Sequence, residues 1–397
     1  MGNTFYFEWE VSFMEWLQGL LGETAVTAAN ICSILGEELV LISILAILYL
    51  CYDKKIGLKV GINMALAQVL YPMIKNVFIR RRPYMDHASI ECLRPVDTEA
   101  DLMDVSAQGF SFPSGHSTNS VIAYGSLAYY LKKPVWKVLA IVIPILVGFS
   151  RVVLGNHYPT DVLVGWALGA AVVFATGRLL KLMEGKNRLV LYLIILGVSC
   201  IGCFFCRSND YFTGLGLMIG ILGGDLFEQR FTKFENTRVW WRCILRVLGA
   251  FVLYFGLSTL MKLPFSEEFL ASTSPAQYLF RVVRYAIVVF IIIGVYPMCF
   301  RLFQKKSKES PAAESATGTS GEKFECPCCE RKVFVSRYGR DICPYCRWQQ
   351  DRVQEENPDY AGGANKLSLN AYREEFRKRE ASRVLLAEGP QRDWEQK

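Results

Sequence analysis

Long apolar blocks constrain this chain more than any other feature. Mostly apolar stretches lie near 25–51, 57–78, 117–131, 135–150, 160–178, 189–206, 211–227, 243–261 and 283–303. A helix rises about 1.5 Å per residue, so runs of about 17 to 25 residues match the roughly 30 Å of hydrocarbon in a bilayer. Lipid offers no partner to a backbone N–H or C=O, so continuous blocks of this kind cross it as helices. The same blocks lift the apolar share of the 397 residues to 52%, above the roughly 45 to 50% of soluble domains. The sequence therefore predicts an all-α polytopic membrane protein of about nine spans. Residues 1–24 precede the blocks, and 5–21 alternate aromatic and acidic positions as an interfacial amphipathic helix does.

The net charge of +7 does not point to nucleic acid, because the basic residues sit in short connections between blocks. Lys54 and Lys55, Lys132, Lys133 and Lys137, and the basic clusters within 178–188, 230–246 and 301–308 all fall on one side of a zigzag. The excess of positive charge makes that side cytoplasmic. The N-terminus, and the loop holding Ser266, Glu267 and Glu268, are then outside and the C-terminus inside, as in a multi-pass plasma-membrane protein. Basic residues that break this bias by lying outside have a functional reason to be there.

Three short signatures supply such residues, all at outer ends of blocks. In the first, Lys75 precedes Arg82 and Pro83 by a spacing that puts both cations on one helix face if the helix persists between them. Arg80 and Arg81, between them, read as an interfacial cluster snorkelling to headgroups. The second runs from Pro113 through Ser114, Gly115 and His116: a good N-cap, a residue that lets backbone approach a ligand, and an imidazole, before a helix starting near Ser117. The amides and dipole of that helix start suit a phosphate. The third holds Arg151, His157 and Asp161, with Pro159 suited to a first helical turn. At that spacing Asp161 can accept from one ring nitrogen of His157 and leave the other as an outward lone pair, the state a nucleophilic imidazole requires. Arg151 can reach the same phosphate. The remaining histidine, His87, reads as an exposed loop residue.

K-x6-RP, PSGH and SR-x5-H-x3-D, in this order between Lys75 and Asp161, resemble the type 2 phosphatidic acid phosphatase superfamily, over about a third of the chain. The resemblance implies that His157 attacks phosphorus to form a phosphohistidine, that Asp161 orients it, and that His116 protonates the leaving group and later activates water. It implies that Lys75, Arg82, Ser114, Gly115 and Arg151 bind the phosphoryl oxygens and that no metal or other cofactor serves catalysis. Undecaprenyl diphosphate, phosphatidylglycerol phosphate and phosphatidate are the substrates it offers, and an outer-facing site favours the polyprenyl carrier. Two other uses of the same cradle stay open: a non-catalytic lipid-phosphate sensor or transporter, for which cations alone would suffice, and a vanadate-dependent peroxidase, which the membrane spans disfavour.

The phosphatase-like core is expected over 25–187 and further spans over 188–303. Gly214, Gly216, Gly220, Gly223 and Gly224 in one of these read as a close-packing face, Asp225 as an end cap, and Cys200, Cys203 and Cys206 as small packing residues. From 304 to 322 the composition becomes that of a flexible linker. Beyond it, in 323–397, Cys326 and Cys329 form one C-x2-C knuckle and Cys343 and Cys346 another, at the spacing of a tetrahedral zinc site. A reducing cytoplasm disfavours the alternative of disulfides, and Cys328 is left as a spare thiol. So short a segment has little core, and a bound metal would supply much of its folding energy. The runs around these cysteines resemble the cysteine-rich CPCC domain family over 324–379, which implies a small zinc-ribbon-like fold with a structural zinc but no activity. Trp348, Tyr360, Leu367, Leu369, Tyr372 and Phe376 are expected to form its core, a face for a protein partner being the lesser reading.

Overall fold

A computed structural model describes residues 2–182, 188–300, 323–337, 339 and 341–387. The expected linker and the last residues of the tail lie outside the described residues. The chain divides into two compact units, Met1–Gln304 and Lys305–Lys397.

The described residues of the first unit are mostly helical. In chain order it contains α1 (Glu8–Leu20), α2 (Glu23–Ile34), α3 (Glu38–Ile47), α4 (Lys54–Phe78), the short α5 (Pro83–Asp86) and α6 (Val105–Gln108), then α7 (Gly115–Leu131), α8 (Pro134–Val153) and α9 (Pro159–Leu182). It continues with α10 (Arg188–Cys200), α11 (Asn209–Phe227), α12 (Trp240–Lys262), the short α13 (Glu267–Ala271) and α14 (Pro275–Phe290). Among the described residues, six helical stretches are long and apolar enough to cross a membrane: Glu23–Tyr52, Lys54–Phe78, Pro134–Val153, Pro159–Leu182, Trp240–Lys262 and Pro275–Cys299. The other three blocks of the sequence are also helical, as α7, the apolar stretch Arg188–Phe204 and α11. They fall short of the same length or hydropathy, so only six of the nine expected spans meet it.

Polar links and glycines fix how these helices pack. Asn63 on α4 donates to Ser126 on α7 at 2.9 Å and accepts from Thr176 on α9, so three helices share one buried amide. The glycines of α11 do pack closely. A Cβ at Gly214 would lie 2.4 Å from the Gln68 carbonyl of α4, and one at Gly220 would lie 2.7 Å from Val289 Cβ of α14. Asp225, expected as an end cap, instead accepts from the side chains of Tyr192 at 2.6 Å and of Gln229. Cys206 is fully buried beside Tyr211.

Helix α1 buries Glu10, Val11, Met14 and Leu17 on one face and leaves Trp9 and Trp16 exposed. Its apolar residues pack on Val152, Val153, Leu154, Tyr158 and Val162, directly behind the third signature. Gln18 donates to the carbonyls of Glu91 and Val153 at 3.0 and 3.1 Å, joining that loop to the end of α8.

The second unit pairs β1 (Phe324–Glu325) antiparallel with β2 (Lys332–Phe334), followed by α15 (Arg352–Glu356) and α16 (Leu369–Ala387). Its core gathers the cysteines with Phe334, Trp348 and Leu369, and Tyr372 and Phe376 pack against them. Tyr360 is exposed, so that expected core residue lies outside it.

Candidate functional site

The first signature is not one continuous helix. α4 ends at Phe78 because Ile79 adopts a left-handed conformation (φ 45°), and 80–82 then run extended, with Asn3 pairing against Arg80. The turn, rather than helical spacing, brings Arg82 to the cavity that Lys75 faces. Arg82 is buried; its Nε donates to the carbonyls of Gln108 and Gly109 and its Nη1 to that of Asn156, at 2.9 to 3.1 Å. Those carbonyls hold the guanidinium in place without neutralising it.

Ser114 caps α7 as expected, accepting from Ser117 N at 3.4 Å and Ser117 Oγ at 2.9 Å, which places His116 in the first turn. Gly115 lies against the ring of Tyr71: a Cβ there would sit 3.3 Å from it. In the third signature α8 ends just past Arg151, and Gly155 turns the chain at φ 74°, where a Cβ would lie 2.1 Å from the Glu91 carbonyl. Only glycine fits that turn, which delivers His157. Arg151 donates from Nη1 to Ser33 at 2.8 Å, while its buried Nε has no hydrogen-bond partner among the described residues. Ser114 N donates to the Asp161 carbonyl at 3.0 Å, tying the second signature to the third.

Lys75, Arg82, Gly115, His116, Arg151 and His157 thus line one cavity of about 830 Å³, with Ser114 and Asp161 buried behind it. Among the described residues, no carboxylate lies within 4.0 Å of Lys75, Arg82 or Arg151, whereas Arg81 and Arg94 each have one and Arg80 has two. Cations so enclosed are costly without a counter-charge, and an anion is the ligand that would supply it.

His157 Nδ1 faces Asp161 Oδ2 at 3.4 Å, close but without hydrogen-bond geometry. The carboxylate is held elsewhere: Oδ2 accepts from Tyr158 N at 2.9 Å and Oδ1 from Arg80 at 2.7 Å. Burial, and then the charges of Arg82, Arg151 and Lys75, push the His157 imidazole well below its ordinary pKa, so it is neutral with a lone pair available.

Arg80 overturns its expected role as a surface cation. It is 1% exposed, lies over the rings of Phe5 and Tyr158, and bridges Asp161 and Glu10 at 2.7 Å each. Glu10 is fully buried and also accepts from Thr160 N at 3.0 Å and Thr160 Oγ1 at 2.6 Å. This Glu10–Arg80–Asp161 chain was missed in the sequence, although a signal existed: Glu10 shares the helix face of Met14 and Leu17, where a carboxylate requires a partner. His87 is likewise not an exposed loop residue. Its ring packs edge-on to Tyr6 at 4.4 Å, and its buried Nε2 has no hydrogen-bond partner among the described residues.

In the second unit the sulfur atoms of Cys326, Cys329, Cys343 and Cys346 lie within 4.8 Å of one another, and Cys328 is outside this set. The Cys326–Cys346 and Cys329–Cys343 separations are 3.5 and 3.7 Å. A tetrahedral ion with Zn–S bonds of about 2.3 Å requires roughly 3.8 Å between sulfurs, whereas a disulfide would require about 2.05 Å. The quartet therefore fits a metal ion.

Fold and site define a helical membrane protein with a cationic, imidazole-bearing cradle for an anion. Residues 56–182 match the PAP2 superfamily, 212–308 match the PAP2 superfamily phosphatase transmembrane extension, and 324–388 match the cysteine-rich CPCC family. The chain belongs to the PAP2 superfamily and carries a CPCC domain at its C-terminal end. An undecaprenyl-diphosphatase of Sulfolobus acidocaldarius is 33% identical over 141 residues, 35% of this chain and 63% of that protein. Phosphatidylglycerophosphatase B of Bacillus subtilis is 46% identical over 80 residues, 18% of this chain and 39% of its own length. A decaprenylphosphoryl-5-phosphoribose phosphatase of Mycobacterium tuberculosis is 33% identical over 132 residues, 33% of this chain and 66% of its own. The chain thus spans less than two thirds of each of these relatives. No solved structure matches it.

Proposed function

We propose that this protein is a lipid phosphate phosphatase that hydrolyses a phosphomonoester or diphosphate at the outer face of the plasma membrane. The observation that supports this most is the cavity in which Lys75, Arg82 and Arg151, uncompensated among the described residues, meet two imidazoles. A sensor or transporter would need the cations alone; the neutral His157 beside a fixed carboxylate serves a nucleophile.

In this reading the cations and the α7 start hold the phosphoryl oxygens. His157 attacks through Nε2, since Nδ1 faces Asp161. The N–P bond forms as the bond to the lipid oxygen or leaving phosphate breaks, and His116, protonated once the bound anionic phosphoryl group offsets the cradle's cations, gives that oxygen its proton. Neutral His116 then takes a proton from water, which attacks phosphorus, releases inorganic phosphate and restores His157. The three cations supply the charge stabilisation that a divalent ion supplies in other phosphoryl-transfer enzymes. Undecaprenyl diphosphate and phosphatidate-type lipids are the candidate substrates. The cysteine quartet holds a structural zinc in a cytoplasmic domain.

The test is phosphate release from undecaprenyl diphosphate and from phosphatidate by the purified protein in detergent with EDTA, beside His157→Ala. Release that survives chelation and disappears in the variant is the expected result. Retention of lipid without release would instead establish the sensor or transporter.

A further inference from the structure

Five arginines are buried among the described residues: Arg80, Arg82, Arg151, Arg246 and Arg284. Four of them donate to a carboxylate, a carbonyl or a hydroxyl, Arg246 to the carbonyls of Leu50 and Glu235 at 2.8 and 3.0 Å. Arg284, 3% exposed, makes no hydrogen bond among the described residues, and its buried Nε is without a partner there. It lies about 14 Å along α14 from Pro275, at 1.5 Å per residue, inside a stretch long and apolar enough to cross a membrane. Its guanidinium lies over the rings of Tyr285 and Phe280 at 4.7 and 5.7 Å, which attract the charge but offer no oxygen to its N–H groups.

Two further cations join it. Arg281 is one turn away on α14, where side chains at this spacing are neighbours, and its buried Nε likewise has no hydrogen-bond partner among the described residues. Lys262, the last residue of α12, is acted on by the charges of both arginines. Among the described residues no carboxylate lies within 4.0 Å of any of the three. Glu267 and Glu268, in the loop between α12 and α14, pair with none of them, and Asp210 at the start of α11 acts on Arg281 only from further away. Tyr278, one turn before Arg281, keeps a buried hydroxyl with no hydrogen-bond partner among the described residues. Lys262 is exposed and Arg281 half-buried, so these two can extend to water along their stems; Arg284 cannot. Like charges gathered in an apolar surround are costly without a counter-ion, and an ionised side chain within a span marks a site. All three lie in the stretch matching the transmembrane extension, and none of them lines the cradle cavity.

We propose that Arg284 and Arg281, with Lys262 of the neighbouring helix, form a second phosphoryl-anion site, separate from the cradle and at the opposite side of the extension helices from it in function: it binds a phosphate without transferring it. Two guanidinium forks one turn apart suit the oxygens of one phosphate, and the Tyr278 hydroxyl has a proton to add. A lipid headgroup and free inorganic phosphate share this chemistry. The surroundings favour the lipid, because Leu260 and Leu263 beside Lys262, and Leu279 and Val283 beside the arginines, are exposed and apolar, as a surface for acyl chains is. The site does not depend on turnover at the cradle.

The test is binding to the full-length protein in detergent, read by native mass spectrometry, with dioleoyl phosphatidylglycerol, dioleoyl phosphatidylcholine and inorganic phosphate as probes. Phosphatidylglycerol is a phosphodiester, without the terminal phosphoryl group that the cradle is proposed to transfer. Phosphatidylcholine carries the same phosphate beside a fixed cation. A charge-assisted bond changes affinity by about tenfold or more, so phosphatidylglycerol should bind at least about tenfold more tightly than phosphatidylcholine, and Arg284→Met should remove that preference. Lys262→Gln with Arg281→Gln, at more exposed positions, should do the same, and decides the matter if Arg284→Met does not fold. Lys75→Met, in the cradle, should leave the preference within about twofold. A phosphate adduct on the unmodified protein that Arg284→Met removes would support the site with free phosphate as its occupant. Neither a lipid preference nor such an adduct, or binding that Lys75→Met removes while the α12 and α14 variants keep it, overturns the site.

Discussion

Removing Arg80 should disable the site without touching any residue of the three signatures. Its guanidinium spans two fully buried carboxylates, Glu10 and Asp161, at 2.7 Å each, and Arg80→Met leaves both without their cation. Breaking a buried ion pair from one side costs about 3 to 5 kcal/mol, a large fraction of a typical stability of about 5 to 15 kcal/mol. Part of that cost falls on the reaction, because Asp161 Oδ1 loses the anchor that holds Oδ2 3.4 Å from His157. A loss of about 100-fold in kcat corresponds to roughly 2.7 kcal/mol. Glu10→Gln is the milder change: it keeps the shape but weakens the bonds from Arg80 and Thr160, each charge-assisted bond contributing about 1.5 to 3 kcal/mol. The assay is a double-mutant cycle in kcat and in thermal stability. Once Arg80 is gone, neutralising Glu10 removes a repelling carboxylate, so the double variant should be less impaired than the two single losses combined, by about 0.5 to 3 kcal/mol. A folded Arg80→Met protein with kcat within threefold of the unmodified one, or effects that simply add, would refute the positioning role.

Three other outcomes follow from the geometry. Because the folded pKa of His157 lies well below 6.5, the imidazole stays neutral as pH falls through 6.5; the acid limb of kcat/KM should begin below that value, and a tenfold loss per unit starting at 6.5 would contradict it. In the second unit Cys343→Ser should abolish a bound zinc stoichiometry near one and render that unit protease-sensitive, since structural zinc contributes about 10 to 16 kcal/mol; an unchanged metal content would remove the quartet from the account. Gly220→Leu places a side chain where a Cβ already meets Val289 at 2.7 Å, an overpacking cost of about 1 to 3 kcal/mol that should lower the melting temperature in detergent.

What the sequence revealed follows from how local the chemistry is. Ser114 as a cap, Asp161 four residues after His157 and the paired C-x2-C knuckles each depend on spacings within one turn or one loop, and the structure places each of them together. The link from Arg80 to Glu10 spans seventy residues, so no periodicity joins them, and Arg80 reads with Arg81 as an interfacial cation until α1 covers it. Lys75 and Arg82 converge on one cavity, but through the left-handed Ile79 and not by the helical spacing that suggested it. The cavity itself depends on how α3, α4, α11 and α12 enclose a space, which the apolar blocks carry no mark of.

The most direct test of the account is to trap the phosphoenzyme. The purified protein, incubated briefly with a lipid substrate labelled at the transferred phosphoryl group and quenched in alkali, should carry acid-labile, base-stable label on the peptide containing His157, and His157→Ala should carry none. Turnover at full rate with no label on that peptide, or label on a different residue, would contradict His157 as the nucleophile.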